Sequence, residues 1–249
     1  MDGSAKKSKK PDAVKANAWR GRLTPAWAAS GINAATRNAK RLLADAQKLF
    51  QTGSYPSALS LAVLAIEEAG KRGIIERILL AKTDQQLKEH WREYTSHTAK
   101  NNAWVVPNLV KAGAEHVDDF KILADEGSPH PYVLDDFKMW GFYTDCRGIL
   151  WTEPASTITP EMAFEVLHLA NKIVAHTQDI TTEQMEAYFK HLSPVWSEDC
   201  RKADSQAVKD ALKAYMKECQ ERGWLAREVD IDAFFGLPEG ARKSATTQG

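Results

Sequence analysis

The stretch Thr36–Lys71, TRNAKRLLADAQKLFQTGSYPSALSLAVLAIEEAGK, decides the fold. Up to Gln51 its apolar residues recur three and four positions apart, which is the spacing of one buried helix face. Gly53 is placed to end this helix, and Pro56 suits the first turn of the next one, which we expect to begin at Pro56 or Ser57. The stretch therefore predicts two consecutive helices joined by a short turn.

The remainder of the chain continues the helical pattern. Further helices are expected at four places: around Leu87 and Trp91, after the capping residue Thr159, over residues 183–191, and over residues 206–222. The aromatic-rich segment 135–154 is compatible with either a helical turn or a short hairpin. Internal repeats and a series of alternating strands are absent from the sequence, so the predicted fold class is an all-α bundle with an elaborated C-terminal half.

Charge and composition divide the chain. Its 33 basic and 33 acidic side chains balance over 249 residues, so no overall charge points to nucleic acid. Residues 1–22 alone hold seven basic and two acidic side chains, which gives this leader a charge of +5. We expect disorder in the leader and in the tail 237–249. Between them we predict a helical domain over residues 35–178 and a helical extension over residues 179–236.

Common enzyme signatures are missing from the sequence. It contains no phosphate-binding glycine loop, no GxSxG and no HExxH. The three cysteines have neither disulfide nor zinc spacing. We therefore predict no cofactor and no metal site. No apolar run approaches the ~20 residues of a membrane helix, and no secretory segment follows the first lysines. We expect a cytoplasmic protein that does not contact a membrane.

A polar segment, EHWREYTSHTAKN at residues 89–101, contains Arg92 and His97. Metal-free ribonucleases use this spacing, but about one such match is expected by chance among twelve arginines and seven histidines. The chemistry is coherent, because histidine transfers protons near neutral pH and arginine stabilises charge on a phosphate. On a continuous helix the two side chains would point ~140° apart. The pair therefore needs local unwinding or a site shared between two chains, and by itself it favours an ordinary surface helix.

Glu68 is a second candidate, because it follows Leu64 by one turn on the apolar stripe of the second helix. A buried carboxylate needs a partner. Three side chains are candidate partners: Lys71, Arg92 and His97. The alternative is a plain helix surface, on which Glu67 pairs with Lys71 and Glu68 with Arg72.

A third cluster consists of Tyr143, Asp145, Arg147 and Trp151. Aromatic rings stack on bases and arginine pairs with phosphate, so such a cluster can bind a nucleotide. The same composition is more often found at the edge of a hydrophobic core, and that interpretation is favoured.

Taken together, these segments resemble the AbiV-type abortive-infection proteins of bacterial phage defence, members of the HEPN superfamily of helical bundles. The resemblance covers roughly residues 35–178. It is carried, in the order typical of the family, by the turn at 53–58, the AIEEAGK segment at 65–71, the pair His97 and Lys100, and the segment 142–145 followed by Trp151 and Pro154.

The resemblance implies a HEPN-like bundle with additional C-terminal helices and a homodimeric, metal-independent endoribonuclease. Arg92 would hold the phosphate, His97 would act as acid and base, and Glu68 would support them. The predicted substrate-binding residues are Lys71, Lys100, Tyr143 and Asp145. The sequence departs from the family at Glu93, where a small polar residue is common, and a carboxylate there would repel a phosphate.

Two other functions stay open. One is a non-catalytic helical module that binds a phage-encoded protein, as its activator or target, or a translation component. The other is nucleotide binding near Glu68, Lys71 and Tyr143, which we rank last because the sequence has no phosphate-binding loop.

Overall fold

The computed structural model of the protein describes residues 19–96, 130–197 and 206–235. The predictions that concern His97, Lys100, most of the basic leader and the C-terminal tail lie outside these ranges. Within them the chain forms nine helices and one two-stranded sheet. In chain order these are α1 (Pro25–Gln51), α2 (Tyr55–Leu80), α3 (Asp84–Thr95), α4 (His130–Phe142), β1 (Asp145–Arg147), β2 (Leu150–Thr152), α5 (Pro154–Thr157), α6 (Pro160–Ala175), α7 (Thr182–Leu192), α8 (Gln206–Glu221) and α9 (Ile231–Phe235). The all-α prediction is confirmed.

Helix α1 begins at Pro25, about three turns before the predicted start at Thr36. The Thr24 hydroxyl accepts a hydrogen bond from the backbone N–H of Trp27, and proline occupies the first turn. Small residues let this early part pack closely, since Ala28 is fully buried. The Thr-Pro pair is a helix-start pattern that the sequence already contained.

Helix α2 is the central helix of the bundle. It packs against α1, α3, α4 and α6, and buried residues occur on most of its circumference. A helix that is apolar nearly all round is expected to lie inside a bundle. The largest core cluster joins α1 and α2 to α4 and α6. The turn between α1 and α2 contains Gly53 with φ of 80°, a conformation that favours glycine.

The aromatic segment contains both predicted alternatives. α4 ends at Phe142, and an antiparallel hairpin follows in which Cys146 of β1 lies opposite Trp151 of β2. Gly148, with φ of 66°, occupies the connecting turn. Gly141 lies so close to α2 that an added Cβ would collide with Ser60 and with the carbonyl of Pro56. The C-terminal end of α4, from which the hairpin continues, therefore packs at the N-terminal end of α2.

The C-terminal helices extend the bundle. Ile180 and Met185 of the α7 region are buried with residues of α1 and α2 in a second core cluster. α8 then packs on α7, where the rings of Tyr188 and Tyr215 meet edge to face at 5.4 Å. No helix within the described ranges is long and apolar enough to cross a lipid bilayer.

The N-terminal segment before α1 is fastened to the turn between α2 and α3. Arg22 donates to the backbone carbonyl of Ala81 at 2.6 Å and to that of Lys82 at 3.1 Å. Its guanidinium also pairs with Asp84 at 2.9 Å. This one side chain therefore holds the entry of the chain against the last carbonyls of α2 and the first turn of α3.

Candidate functional site

Helix α3 carries the first half of the predicted motif. Its start is fixed by a capping box, in which the Thr83 hydroxyl accepts from the Gln86 backbone N–H and the Gln86 side chain accepts from the Thr83 N–H. A cap of this kind contributes ~1 kcal/mol to helix stability. Gln86 and His90 are the buried residues of α3, which packs on α2.

Arg92 lies on the side of α3 opposite this buried face. It follows His90 by two positions, ~200° around a helix, and its side chain is exposed. Within the described ranges its guanidinium has no ion-pair partner. α3 ends at Thr95, and Ser96 is extended with ψ of 135°. The chain therefore leaves helical geometry before it reaches His97, and the ~140° separation of a continuous helix does not apply.

Glu93 turns towards α2, away from the exposed face of α3. Its Oε2 accepts from Arg77 Nη2 at 3.0 Å and lies 3.2 Å from His90 Nδ1. Partial burial opposes ionisation, but the hydrogen bond with His90 and the charge of Arg77 outweigh it and lower the pKa of Glu93 to about 2. The carboxylate is charged and already paired with Arg77, which weakens the phosphate repulsion that the sequence suggested.

Glu68 is paired within its own helix. Lys71 Nζ donates to Glu68 Oε1 at 2.6 Å, and the two side chains are only 15% and 18% exposed, respectively. The Lys71 ammonium also lies 5.1 Å from the ring centre of Tyr94, a cation–π contact with the last turn of α3. Of the three predicted partners of Glu68, the structure shows Lys71. Arg92 lies on the other face of α3, so one chain does not bring Arg92 and Glu68 together.

The alternative ion pairs expected for a plain helix surface are wrong. Lys71 pairs with Glu68 at i,i+3, and Arg72 pairs with Glu76 at 2.9 Å. Glu67 pairs instead with Lys138 of α4. The Glu68–Lys71 pair lies apart from that buried pair, at the α2–α3 contact.

Glu67 is the buried carboxylate of α2 and is only 3% exposed. Lys138 Nζ of α4 donates to Glu67 at 2.7 Å and to Asp135 at 2.6 Å. Burial opposes a charge on Lys138, but its hydrogen bonds to Asp135 and Glu67 outweigh burial and raise its pKa. The Ser60 hydroxyl adds a hydrogen bond to the Lys138 carbonyl at 3.1 Å. Sequence reasoning missed this group, since Lys138 is distant in sequence and nothing in its own helix marks it as buried.

Tyr143 and Asp145 line a cleft of about 270 Å³ between the end of α4 and the hairpin, together with Trp140 and Thr152. This cleft lies at the N-terminal end of α2, because α4 meets α2 there. Lys71 is about four turns further along α2, roughly 20 Å away. The structure thus separates Tyr143 and Asp145 from Lys71, and a single ligand near Lys71 and Tyr143 of one chain is not supported.

Comparison with models of known protein families shows which family the chain belongs to. The family model of AbiV-type HEPN proteins, HEPN_AbiV, matches residues 28–175. This chain belongs to the AbiV family. No curated protein and no solved structure matched the chain.

The AbiV match spans nearly all of α1 and everything through α6. Within the AbiV region lie the exposed Arg92, the Glu68–Lys71 pair and the buried Glu67–Lys138 pair. Helices α7 to α9 lie outside it. Within the ranges that the structure describes, no three His, Cys, Asp or Glu side chains are grouped so that they could hold a metal ion.

Proposed function

We propose that this AbiV protein is a metal-independent endoribonuclease of abortive infection that acts as a homodimer in the cytoplasm. Arg92 and His97 form its active site, and the Glu68–Lys71 pair supports the last turn of α3 from the opposite side, through the contact of Lys71 with the Tyr94 ring. The observation that carries the proposal is the state of Arg92. Its guanidinium is exposed at the end of α3 and has no ion-pair partner among the described residues, so it is available to a phosphate.

The proposed reaction is attack of a ribose 2′-oxygen on the adjacent phosphorus. His97 takes the 2′-OH proton and, once protonated, gives a proton to the departing 5′-oxygen. Arg92 stabilises the charge on the phosphate oxygens as the new bond forms. The products are a 2′,3′-cyclic phosphate and a 5′-hydroxyl end.

A homodimer fits the geometry of α3. Arg92 points away from the core of its own chain and away from Glu68, and a second chain placed against this face would meet it. In the proposed arrangement, Arg92 of one chain approaches His97 of the other. The Lys71 ammonium, held by Glu68, contacts the Tyr94 ring and so supports the last turn of α3 from behind.

The direct test is RNA integrity and protection in infected cells that carry wild type, Arg92→Ala or His97→Ala. Removing an acid–base or charge-stabilising group is expected to lower cleavage by about 10²–10⁴-fold. Two matched controls are Arg41→Ala, an exposed arginine of α1, and His176→Ala, an exposed histidine at the end of α6. Both controls are expected to retain cleavage. Normal cleavage by His97→Ala, or cleavage abolished by a chelator, contradicts the proposal.

A mixing experiment tests the shared site. Arg92→Ala and His97→Ala chains are each expected to be inactive alone. Mixed and allowed to exchange subunits, they form dimers that retain one intact Arg92–His97 pair across the interface, so part of the activity returns. Recovery that fails although mass measurements show mixed dimers would contradict an active site shared between chains.

The hairpin favours a second candidate function, binding of a phage-encoded protein without catalysis. Ile149, Leu150 and Trp151 are 94%, 68% and 79% exposed. Large apolar side chains grouped on the surface mark interaction sites. The double variant Leu150→Ser, Trp151→Ser distinguishes the two functions: loss of protection there, with protection intact in Arg92→Ala, favours the binding module.

A further inference from the structure

Four aromatic rings follow one another from the start of α1 to the last turn of α3. Trp27 of α1 meets Trp19 at 5.0 Å between ring centres, Trp19 meets Trp91 at 6.2 Å, and Trp91 meets Tyr94 at 5.4 Å. All three contacts are edge to face. The row thus connects the N-terminal segment with the helix that carries Arg92.

The N-terminal segment is held firmly in this row. Trp91 Nε1 donates to the carbonyl of Gly21 at 3.0 Å. The Trp19 ring lies directly over Gly21, where a Cβ would collide with it. The indole rings are therefore fixed in position before any ligand arrives, which lowers the entropy cost of stacking on them.

Two of these rings stay largely open to solvent. Trp19 is 49% exposed and Trp27 is 56% exposed. Rings that only fastened the segment to α3 would be covered by their neighbours. An exposed indole ring held in place offers a flat surface on which any base can stack.

Basic side chains lie beside Trp91, the ring that follows Trp19 in the row. The Arg20 guanidinium lies 5.0 Å from the Trp91 ring centre, and Arg20 is exposed. Lys88 and Arg92 lie one turn apart on the exposed face of α3, beside Trp91. The nearby Asp84 carboxylate is paired with Arg22. The basic leader, with its charge of +5 over residues 1–22, joins the fold here, so the surface suits a polyanion.

We propose that Trp19, Trp27 and Arg20 form a stacking surface for single-stranded RNA. Bases stack on the two exposed indole rings, while Arg20, Lys88 and Arg92 contact the phosphates. The inference rests on the proposed ribonuclease function and deepens it, because it assigns the binding of the strand that leads into the Arg92 site. Interleaved cations and exposed rings favour a nucleic acid here over the protein partner that the apolar hairpin suits.

The test is fluorescence anisotropy of a labelled single-stranded RNA with the full chain, in a His97→Ala background that prevents the proposed cleavage. Trp19→Ala and Trp27→Ala are each expected to weaken binding by about 5- to 100-fold, the effect of losing one base stack. Trp19→Phe retains a ring and is expected to restore most of the affinity. Phe164→Ala, which removes a 53% exposed ring of α6, is the matched control and leaves binding unchanged.

An RNA duplex serves as a second ligand in the same binding experiment. Its bases are already stacked on one another, so it is expected to bind more weakly than the single strand and to be insensitive to Trp27→Ala. Equal binding by the duplex, or wild-type affinity in both tryptophan variants, overturns the stacking surface. If both variants weaken RNA binding while His97→Ala cleaves normally, the surface stands and the proposed active site fails.

Discussion

Glu67 and Glu68 are consecutive residues of α2, and they lie in regions with different properties. Glu67 faces α4, is 3% exposed and shares Lys138 with Asp135. The Glu68 side chain lies near α3, is 18% exposed and takes its charge partner from the same helix. A rotation of ~100° between neighbours thus separates a carboxylate that stabilises the fold from one that remains within reach of a ligand.

The difference shows what burial does to a charge. At the α2–α4 contact Glu67 and Lys138 have given up most of their water, so each must keep its partner or the region unfolds. At the α2–α3 contact the Glu68–Lys71 and Arg77–Glu93 pairs keep part of their hydration. Such pairs contribute little to stability, so the residues there can be rearranged by a bound molecule.

The largest loss of stability is expected for Lys138→Met, which removes the ammonium that Glu67 and Asp135 share. We expect a loss of about 3–5 kcal/mol in the free energy of unfolding, because the buried Glu67 carboxylate loses the ammonium that faces it. Urea unfolding followed by circular dichroism measures the loss. The double variant Glu67→Leu, Lys138→Met is expected to recover much of it. A loss below about 1 kcal/mol for Lys138→Met would show that the pair is not held in the core.

Gly141→Ala tests the close approach of α4 to α2. An added Cβ meets the carbonyl oxygen of Pro56 at 2.7 Å, so the helices must separate, and we expect a loss of about 1–3 kcal/mol. Gly73→Ala is the matched control on α2, where the nearest atom to an added Cβ is Arg77 Nη1 at 3.7 Å. That control is expected to gain up to about 1 kcal/mol from helix propensity. Equal effects of the two variants in thermal unfolding would contradict the packing described.

The α2–α3 contact is expected to respond to acid. The pKa of Glu93 is about 2 in the folded chain against an ordinary value of 4.5. Its stabilising effect is therefore complete above about pH 4.5 and is lost as the pH falls towards 2. Because the pair is partly exposed, the change should be only about 1 kcal/mol.

Comparing Glu93→Gln with wild type isolates the contribution of Glu93 to the pH dependence of the free energy of unfolding. Hydrogen bonds from Lys190 and His191 also lower the pKa of Glu218 to about 2, but Glu218 is present in both proteins. Urea unfolding at several pH values between 2 and 6 should give a shallower pH dependence in the variant. Identical slopes would show that Glu93 is not paired as described.

Glu68→Gln is expected to have the smallest effect on stability. It tests most directly whether Glu68 and Glu67 have different roles. The pair with Lys71 is partly exposed, so the expected loss is below about 1 kcal/mol. Under the proposed function the same variant weakens RNA cleavage, since Lys71 loses the carboxylate that positions it. A stability loss as large as that of Lys138→Met would remove the distinction between the two glutamates.

Periodicity and capping residues allowed much of the fold to be predicted. The turn at Gly53 and the start after Thr159 are local features, and local chemistry sets them. The start of α1 at Pro25 was missed because its buried face there consists of alanines and one isoleucine, Ile32. Such a small-residue face gives a weak apolar pattern.

The candidate site was less predictable, because its pairs join different helices. Glu93 was expected to face a phosphate, yet Arg77 of α2 holds it, and no spacing along the chain shows that contact. Lys138 likewise meets Glu67 only because α4 returns to α2. The roles of Arg92 and His97 remain predictions that activity measurements must test.

The contacts that Arg22 makes with the α2–α3 connection have a mechanical consequence. Trp91 of α3 holds Gly21, and Arg22 holds the backbone carbonyls of Ala81 and Lys82, so tension applied to the chain before Trp19 loads α3 and the α2–α3 connection before it reaches the backbone of α1. The long packed interface of α1 with α2 lies behind that connection along the line of force. A pull on the N-terminal segment would therefore act on α3, the helix that carries Arg92, before it strained the bundle.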